Sequence, residues 1–419
     1  MNAKVFLANA AKLIALMKRG LMEDEMTAKK RNGYQVALLF KARGSYGREI
    51  IAGVCDYVKS TRAVWDMLLH EDFRDSVAGI SDWSGNGIIA DFDDPDFVTA
   101  LSEVSIPVIG VGGSYHRNAD YPRNFPYVAT DNEKLVTEAY THLVDMGLPR
   151  FAFYGLPETR SYRWSEEREK AYLKLCARDR AKPEIFKGQG TFGPDWDEIL
   201  ADVIAWLKGL PKPIGVIAVT DSRARHILQA CILADIAVPE QVSIVGIDDD
   251  PLLRMLTRIP ISSVRQGTRS MGRTAAAMLH RRLIGATLDE TRVIIPPEGL
   301  NAQMSSRYQP IYDPYVMRAR HFIRQFAGQG IKVAQVAAYV GVSRTTLETH
   351  FRRAFGYTVH DDMLAYRLQT AQKLLMDLGL PLERVAELSG FTSNQYMHTV
   401  FKRELGCSPR EYQRNTVAR

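Results

Sequence analysis

The sequence predicts a two-lobed α/β core with doubly wound parallel sheets, followed by an all-α C-terminal domain with two helix-turn-helix units. Three observations support this prediction. Short apolar runs alternate with helical patterns up to about residue 300, which is typical of parallel strands covered on both faces. Two similar units then lie 50 residues apart near the end of the chain. Finally, residues 313–419 carry 15 basic and 9 acidic side chains, whereas the 39 of each sign before them cancel.

Residues 1–33 precede the first apolar run and form an N-terminal extension of unknown role. The segment VFLANAAKLIALM is apolar enough for the core of a signal peptide, but Lys12 interrupts it and no clear A-x-A site follows. We expect either an exposed amphipathic extension or a translation start further along, at Met22 or Met26. No stretch of the sequence has the length and apolar character needed to span a bilayer.

The α/β part contains nine apolar runs bounded by Gly, Pro or Asp. They are QVALLF, WDMLLH, GIIADF, PVIGVGG, YVAT, RFAFYG, GVIAVT, VSIVGID and RVIIPP. At least nine strands in this length of chain fit two doubly wound lobes better than one sheet. Because ligands bind beyond the carboxyl ends of the strands in such sheets, the residues that follow the runs are candidate ligand contacts.

Polar and aromatic residues occupy these positions. They are Tyr46, Asp91, Ser114, Tyr115, His116, Asp131, Asp221 and Asp248. Carboxylates accept paired hydrogen bonds from neighbouring hydroxyls, and an aromatic ring covers the apolar C–H face of a sugar. The set therefore predicts a neutral, polyhydroxylated ligand. An aspartate after a strand is about as often the N-cap of the next helix, and Asp131 and Asp221 both precede helical patterns.

Other functions are less well supported by this region. The GVGG segment lacks the G-x-G-x-x-G pattern and the Walker lysine of nucleotide sites. No nucleophile elbow, H-E-x-x-H helix or pair of catalytic carboxylates is complete, and the histidines lack metal-ligand spacing. We therefore expect no enzymatic activity, no cofactor and no metal. The four scattered cysteines suit a reducing cytoplasm, where structural disulfides are rare.

This part of the chain resembles the ligand-binding core shared by periplasmic sugar-binding proteins and repressors of the lactose-repressor type. The resemblance implies ligand contacts for the aromatic Tyr46 and for Asp131. It also implies a final acidic pair, which Asp221 and Asp248 match. An R-x-x-G-[FY] element of the family supplies a ligand-contacting arginine, and REKAY offers Arg168 with alanine in place of the glycine. Typical members have a helix-turn-helix before this core, and residues 1–33 show none.

The first C-terminal unit, VGVSRTTLETHFRRAFG, follows a helix capped by Asp313 and a second helix over VAQVAAYV. Gly341 is the tight turn and Ser343 caps the third helix. Leu347 and Phe351 are four residues apart and face inward. The outer face then carries Arg344, Thr345, Glu348, Thr349 and Arg352. A polar, basic helix after a glycine turn is the arrangement that enters the major groove of DNA.

The second unit, SGFTSNQYMHTVFKRELG, repeats this pattern with Gly390 at the turn and Ser393 as the cap. Met397 and Phe401 face inward. The outer face carries Asn394, Gln395, His398, Thr399 and Lys402. Asn and Gln can bond the adenine edge bidentately, and Thr can meet thymine methyl groups. Arg353, Lys402 and Arg403 suit phosphate contacts, which position the protein without reading sequence.

Residues 315–414 resemble the DNA-binding domain of the arabinose-regulator family. The resemblance rests on RLQTAQKLL between the two units, VAELSGF before the second turn and GCSPREYQR after the second recognition helix. Two positions depart from the family pattern. Met397 stands where phenylalanine is usual, which should preserve packing because methionine fills gaps well. Val359 stands where proline is common.

From Gln35 onward, the whole chain resembles a bacterial family of xylose-responsive regulators that join these two modules. The segments that carry the resemblance are GIIADFDD, PVIGVGGSYH, FAFYGLPE, RWSEERE and IAVTDSRARHILQ. It implies D-xylose as the effector and activation of genes for xylose uptake and catabolism, whereas residue spacing does not separate xylose from other pentoses. Trp164 is a candidate ring for stacking on the sugar, or alternatively an aromatic buried within a lobe.

These features together predict a cytoplasmic regulator in which sugar closes the two lobes and changes how a homodimer presents its DNA-binding domains. Each domain would place two recognition helices in successive major-groove turns, about 34 Å apart. The predicted partners are the sugar, double-stranded operator DNA and RNA polymerase, with no membrane. The predicted bounds are residues 34–305 for the sensor, 306–314 for a linker, 315–414 for the DNA-binding domain and 415–419 for a tail. The alternatives are another sugar as effector, a transport component or a sugar-modifying enzyme.

Overall fold

The computed structural model describes residues 33–42, 44–69, 72, 80, 83–159, 162–189, 196–376 and 379–417. Apart from Gly33, the predicted N-terminal extension lies outside the described residues, and so do the last two residues of the predicted tail. The described chain forms two compact units. The first contains residues up to 138, 155–180 and 264–300, and the second contains residues 139–154, 181–263 and those from 301 onward.

Strands and helices alternate through most of the chain. The described strands are β1 Tyr34–Leu39, β2 Trp65–Leu69, β3 Gly87–Asp91, β4 Val108–Gly113, β5 Tyr127–Thr130, β6 Phe151–Gly155, β7 Glu184–Lys187, β8 Ile214–Ala218, β9 Val242–Ile247, β10 Ser262–Val264, β11 Arg292–Ile295 and β12 Leu300–Asn301. The described α-helices are α1 Ser45–Thr61, α2 Pro95–Leu101, α3 Asn132–Asp145, α4 Arg163–Arg178, α5 Trp196–Gly209, α6 Asp221–Leu233, α7 Pro251–Met255, α8 Thr268–Leu283, α9 Pro314–Phe326, α10 Val333–Val340, α11 Arg344–Phe355, α12 Val359–Leu374, α13 Leu382–Leu388, α14 Asn394–Leu405 and α15 Pro409–Val417.

The strands form two six-stranded sheets. The first has the order β11-β5-β4-β3-β1-β2, and the second has the order β12-β10-β9-β8-β6-β7. The pairings of β1 with β2 and β3, of β4 with β3 and β5, of β5 with β11, and of β8 with β6 and β9 are parallel. The chain therefore passes from one sheet to the other after β5, after β10 and after β11. The predicted two-sheet, doubly wound architecture is confirmed.

All nine predicted apolar runs form strands because helices cover the sheets, so that β4, β6, β8 and β9 are buried along their whole length. Three short strands, β7, β10 and β12, were not predicted. Strands β7 and β12 lie at the two edges of the second sheet and are only partly buried, so they carry no continuous apolar run. Strand β10 is buried but begins with Ser262 and Ser263, whose hydroxyls are used in hydrogen bonds.

The helices from α9 to α15 form two small hydrophobic cores. The first surrounds Leu347 and Phe351 and includes residues of α9, α10, α11 and the first half of α12. The second surrounds Met397 and Phe401 and includes residues of α13, α14 and the second half of α12. Helix α12 therefore belongs to both cores, because Val359 faces the first and Ala371 faces the second. This shared helix fixes the two helix-turn-helix units relative to each other.

The predicted turns and caps of these two units are confirmed. Ser343 Oγ accepts a hydrogen bond from the backbone N–H of Thr346, and Ser393 Oγ accepts one from Tyr396, each over 3.1 Å. Gly390 has φ +81°, and a Cβ there would also collide with the carbonyl oxygen of Ala327. Only glycine meets both conditions, which explains the glycine in this turn.

Buried polar contacts hold the helical region of the second unit against its sheet region. Arg324 of α9 forms an ion pair with Glu240, whose side chain is 1% exposed, and donates a hydrogen bond to the carbonyl oxygen of Val238 over 3.1 Å. The hydroxyl of Tyr339 in α10 donates to the carboxylate of Asp235. Helices α9 and α10 are therefore docked on residues 235–240, which precede β9.

Candidate ligand and nucleic-acid sites

A cluster of charged groups lies at the carboxyl end of β3 in the first unit. Asp91 is the last residue of that strand, and its carboxylate accepts a hydrogen bond from the backbone N–H of Asp93 over 3.0 Å. Burial and the nearby Asp93 carboxylate raise the pKa of Asp91 to about 8. Asp93 itself forms an ion pair with Arg163 and accepts a hydrogen bond from the backbone of Gly113. The sequence singled out Asp91 but missed Asp93 and Arg163.

Tyr46 lies in the first turn of α1, near the same acidic cluster. Burial raises the pKa of its hydroxyl well above the ordinary value, and Asp93 and Asp91 add to the effect. The hydroxyl is buried and has no hydrogen-bond partner among the described residues. A buried polar group without a partner costs about 1–3 kcal/mol, so this hydroxyl is well suited to a polar ligand atom.

Arg168 of α4 is held in one orientation by two side-chain amides. Its side chain is 3% exposed, and it donates hydrogen bonds to Asn132 Oδ1 and Gln266 Oε1, each over 3.0 Å. Its guanidinium lies 4.9 Å from the ring centre of the half-buried Trp164. The two amides orient the arginine and were missed from the sequence, because each is an ordinary polar residue on a separate element.

Four other predicted residues line one cavity of about 180 Å³ in the first unit. They are Ser114, Tyr115, His116 and Asp131. Two of them also cap α3, since Ser114 Oγ accepts from the backbone of Asn132 over 2.9 Å and Asp131 Oδ1 accepts from Lys134 over 3.0 Å. The ring of Tyr115 lies 3.6 Å beneath the guanidinium of Arg163. Asp131 is therefore a helix cap whatever else it contacts, and His116 is exposed.

The second unit has its own buried acidic group at the carboxyl ends of β8 and β9. Asp221 is 4% exposed and accepts hydrogen bonds from Ser263 Oγ over 2.5 Å and from the backbone N–H of Asp250 over 2.8 Å. Burial raises its pKa to about 8, and the nearby Asp248 carboxylate adds to the shift. A Cβ on Gly246 would collide with the same carboxylate, so glycine there makes room for it.

Two features separate Asp221 and Asp248 from ordinary capping aspartates. Thr220, not Asp221, is the N-cap of α6, because its side chain accepts the hydrogen bond from the backbone of Arg223. Asp248 has φ +128° and Asp249 has φ +53°, a conformation that side-chain-bearing residues rarely adopt. Strain of this kind often lies at functional sites. Asp249, Asp250 and Ser263 were missed from the sequence because no single-residue pattern marks them.

The raised carboxyl pKa values predict how the stability of the sugar-free protein depends on pH. Asp91 and Asp221 hold their protons to about pH 8 in the folded chain, whereas they lose them near pH 4 when unfolded. The folded state therefore binds more protons, and stability falls as pH rises between these values, by about 1 kcal/mol per pH unit for each group. We expect thermal unfolding at a lower temperature at pH 8 than at pH 6. The decrease should be smaller in Asp221→Asn, and an equal decrease in that variant would contradict the assignment.

The predicted DNA contacts of the first unit lie mostly on an exposed face of α11. The exposed side chains are Arg344, Thr345, Thr349, Arg352 and Arg353. Glu348 differs, because it is half-buried and its carboxylate accepts a hydrogen bond from the backbone N–H of Val359 over 3.3 Å. In the arabinose-regulator family, proline is common at the position that Val359 occupies here, and proline has no N–H to donate. Glu348 is therefore committed to the start of α12 in this chain.

The corresponding face of α14 carries the predicted contacts of the second unit. Gln395, Thr399, Lys402 and Arg403 are exposed, whereas His398 is half-buried. Asn394 is also half-buried, and its Nδ2 donates to Glu383 Oε1 over 3.0 Å. Its Oδ1 has no partner among the described residues. Arg403 pairs with the neighbouring Glu404 over 2.6 Å, a surface pair that contributes little to stability.

Arg367 was quoted from the sequence only as part of a connector, and the structure gives it a definite contact. It is buried within α12 and donates hydrogen bonds to the carbonyl oxygens of Ala327 and Ile331, over 3.3 and 2.6 Å. It thereby ties α12 to the loop between α9 and α10. The available signal in the sequence was its place in RLQTAQKLL, a segment that resembles the arabinose-regulator family. Because arginine is rarely buried without partners, its burial here depends on these two carbonyl oxygens.

None of the helices formed by the described residues is both long and apolar enough to cross a membrane. The same residues contain no group of three or more His, Cys, Asp or Glu side chains that could hold a metal ion.

Three family models match successive parts of the chain. Residues 35–133 match the XylR N-terminal domain, residues 140–306 match a periplasmic binding protein-like domain, and residues 336–415 match a helix-turn-helix domain. The three matches follow the same order as the two α/β sheets and the helical region.

Curated relatives match the chain over nearly its full length. The xylose operon regulatory protein of Escherichia coli strain K12 is 42% identical over 379 residues, which covers 90% of this chain and 96% of the relative. That of Haemophilus influenzae is 40% identical over 382 residues, covering 91% and 98%. A solved structure of the xylose-binding transcription activator xylR is 40% identical, with a TM-score of 0.83, and covers 91% of this chain and 97% of that one. The chain therefore belongs to the family of xylose operon regulatory proteins, which are transcriptional regulators and not enzymes.

Proposed function

We propose that this regulator responds to D-xylose and activates genes for xylose uptake and catabolism. The observation that carries the proposal is the presence, in one chain, of buried polar residues suited to a sugar and of two exposed recognition helices. The resembling solved structure is described as a xylose-binding transcription activator, which supports xylose over other pentoses.

Sugar binding uses hydrogen bonds to polar groups that follow the strands. Asp91 and Asp221 accept hydrogen bonds from sugar hydroxyls, and the buried hydroxyl of Tyr46 supplies a further donor or acceptor. Arg168 donates to a sugar oxygen from the orientation that Asn132 and Gln266 give it. Of the remaining predicted contacts, Trp164 supplies an apolar ring face beside Arg168, and Asp248 adds a second carboxylate near Asp221.

The helical region binds double-stranded operator DNA through α11 and α14. Two units joined by the shared helix α12 suit successive major-groove turns, about 34 Å apart on one face of the duplex. The protein acts in the cytoplasm, where operator DNA and RNA polymerase are found, and as a homodimer that reads two half-sites. Binding of xylose biases the arrangement of the DNA-binding regions and thereby promotes contact with RNA polymerase.

Two substitutions on the recognition helices test DNA binding in the full-length protein. Gln395→Ala should weaken operator binding by about 1–3 kcal/mol and relax the preference at one base position, because a glutamine reads a base edge. Arg353→Ala should weaken all duplexes alike and reduce the salt dependence of binding by about one counterion, because Arg353 is a predicted phosphate contact. Both are measured by fluorescence anisotropy over a range of salt concentrations.

The matched control is Lys208→Ala, which removes an exposed cation from α5 of the second unit, outside the helical region. It should leave operator binding unchanged. If Gln395→Ala left both affinity and base preference as in the parent protein, the role of α14 in base reading would be wrong.

A further inference from the structure

A second cavity lies where the helical region of the second unit meets its sheet region. It has a volume of about 700 Å³, which is within the range of small-molecule sites. Residues 254–260 and 303–304 form one side, and residues of α9 and α12 form the other. The carboxylates of Asp221 and Asp248 are not among the residues that line it, so it is a separate feature from the proposed sugar contacts.

The charged residues that line this cavity are all cations. They are Arg254, Arg258, Arg324 and Lys373, and the described lining contains no Asp or Glu. Two of them are neutralised from outside the cavity, because Arg254 pairs with Asp249 over 2.8 Å and Arg324 pairs with Glu240. No ion pair between described residues involves Arg258 or Lys373, although the guanidinium of Arg258 lies 5.9 Å from the ring centre of Phe326. Among the described residues, the lining therefore carries an excess of two positive charges.

The surroundings of Lys373 show the same excess. Partial burial lowers the pKa of its ammonium group, and repulsion from Arg307 and Arg254 lowers it further. An anion placed among these cations would relieve the repulsion. Partial exclusion of water would strengthen its attraction to the cations.

The rest of the lining is largely apolar and rich in methionine. Met255, Met304 and Met376 line the cavity together with Leu374 and the ring of Tyr366. Thioethers and an aromatic ring provide polarizable contacts for a flat, apolar or aromatic group. A duplex backbone offers phosphate and sugar but no such group, so this part of the lining favours a small molecule over DNA.

We propose that this cavity binds a small phosphate monoester with an apolar or aromatic body. A phosphate monoester carries close to two negative charges at neutral pH, which matches the two cations that have no ion-pair partner among the described residues. Arg258 belongs to the sheet region and Lys373 to α12, so the bound phosphate joins the two regions. Occupancy strengthens the docking of the DNA-binding helices on the sensor and adds a second input to the regulator.

The test uses the full-length protein and adenosine monophosphate as the probe, with binding measured by calorimetry. We expect adenosine monophosphate to bind more tightly than either adenosine or inorganic phosphate, because each of these lacks one half of the interaction. Arg258→Gln and Lys373→Gln should each weaken binding of the probe about tenfold, whereas Lys373→Arg should retain it. Lys208→Gln, an exposed cation of the same unit outside the cavity, should have no effect.

Circular dichroism of each variant checks that it is folded. We expect the variants to fold because neither cation takes part in an ion pair between described residues. The proposal is wrong if adenosine monophosphate does not bind, or if both glutamine variants bind it like the parent protein. The proposal is also wrong if the probe does not bind and the variants lose affinity for duplexes of random sequence, because the two cations would then contact DNA phosphates. None of these measurements requires xylose or an operator, so their failure is distinct from failure of the proposed function.

Discussion

Replacement of Arg324 by methionine is expected to destabilise the second unit by about 3–5 kcal/mol. The substitution leaves the Glu240 carboxylate almost fully buried without its counter-charge, and the carbonyl of Val238 loses its donor. One oxygen of Glu240 already has no hydrogen-bond partner among the described residues, so the remaining charge could not be satisfied locally. The measurement is urea unfolding of the full-length variant, together with limited proteolysis around residues 306–314. Cleavage there should become faster, because α9 is no longer held on residues 235–240.

The double variant Glu240→Leu with Arg324→Met tests whether the loss of stability comes from leaving the Glu240 carboxylate buried without its partner. Replacing both members of a buried ion pair by apolar residues is often neutral, so most of the lost stability should return. Arg281→Met is the matched control, because its pair with Asp289 is exposed and should contribute less than about 1 kcal/mol. Equal effects of Arg324→Met and Arg281→Met would contradict the view that the buried pair holds the helical region in place.

Replacement of Asp221 by asparagine is expected to weaken xylose binding by about 10- to 100-fold, in line with the cost of about 1–3 kcal/mol for leaving a buried hydrogen-bonding group without its partner. Asparagine keeps the shape of the side chain, but its amide nitrogen replaces one of the two oxygens that now accept hydrogen bonds from Ser263 and Asp250, and it cannot accept that bond. We therefore expect the loss in affinity together with a small change in stability. Thermal shift and calorimetry with a panel of pentoses and hexoses measure both effects and also test xylose as the effector.

Asp202→Asn is the matched control, since Asp202 is an exposed carboxylate on α5 of the same unit. Its affinity for xylose should equal that of the parent protein. Unchanged xylose binding in Asp221→Asn would remove Asp221 from the proposed site, and preference for another sugar in the parent protein would correct the identity of the effector.

The predicted fold depended on patterns that are local in the sequence. Apolar runs become parallel strands when helices cover both faces of a sheet, and all nine predicted runs form strands, although the edge strands β2 and β11 are only partly buried. The short strands β7, β10 and β12 lacked this pattern, because they are edge strands or contain buried serines whose polar groups are satisfied by distant partners. The helix-turn-helix turns were equally predictable, since Gly341 and Ser343 determine backbone geometry by themselves.

The candidate ligand residues were only partly predictable. The position after a strand indicated Asp91 and Asp221, but it could not distinguish a ligand residue from a helix cap. The structure separates them through neighbours, because Thr220 caps α6 while Asp131 caps α3. Contact of each of these residues with the sugar stays a prediction, which Asp221→Asn tests for Asp221.

The sequence by itself determined the two-sheet core, the repeated helix-turn-helix units and the family, since each depends on residue types at short, fixed spacings. Only the tertiary structure decided which polar residues act together. Arg168 is held by amides 36 and 98 residues away, and Arg324 pairs with a glutamate 84 residues away. Such partners meet because burial makes an unpaired charge costly, and which residues become buried together is settled by the packing of the whole chain.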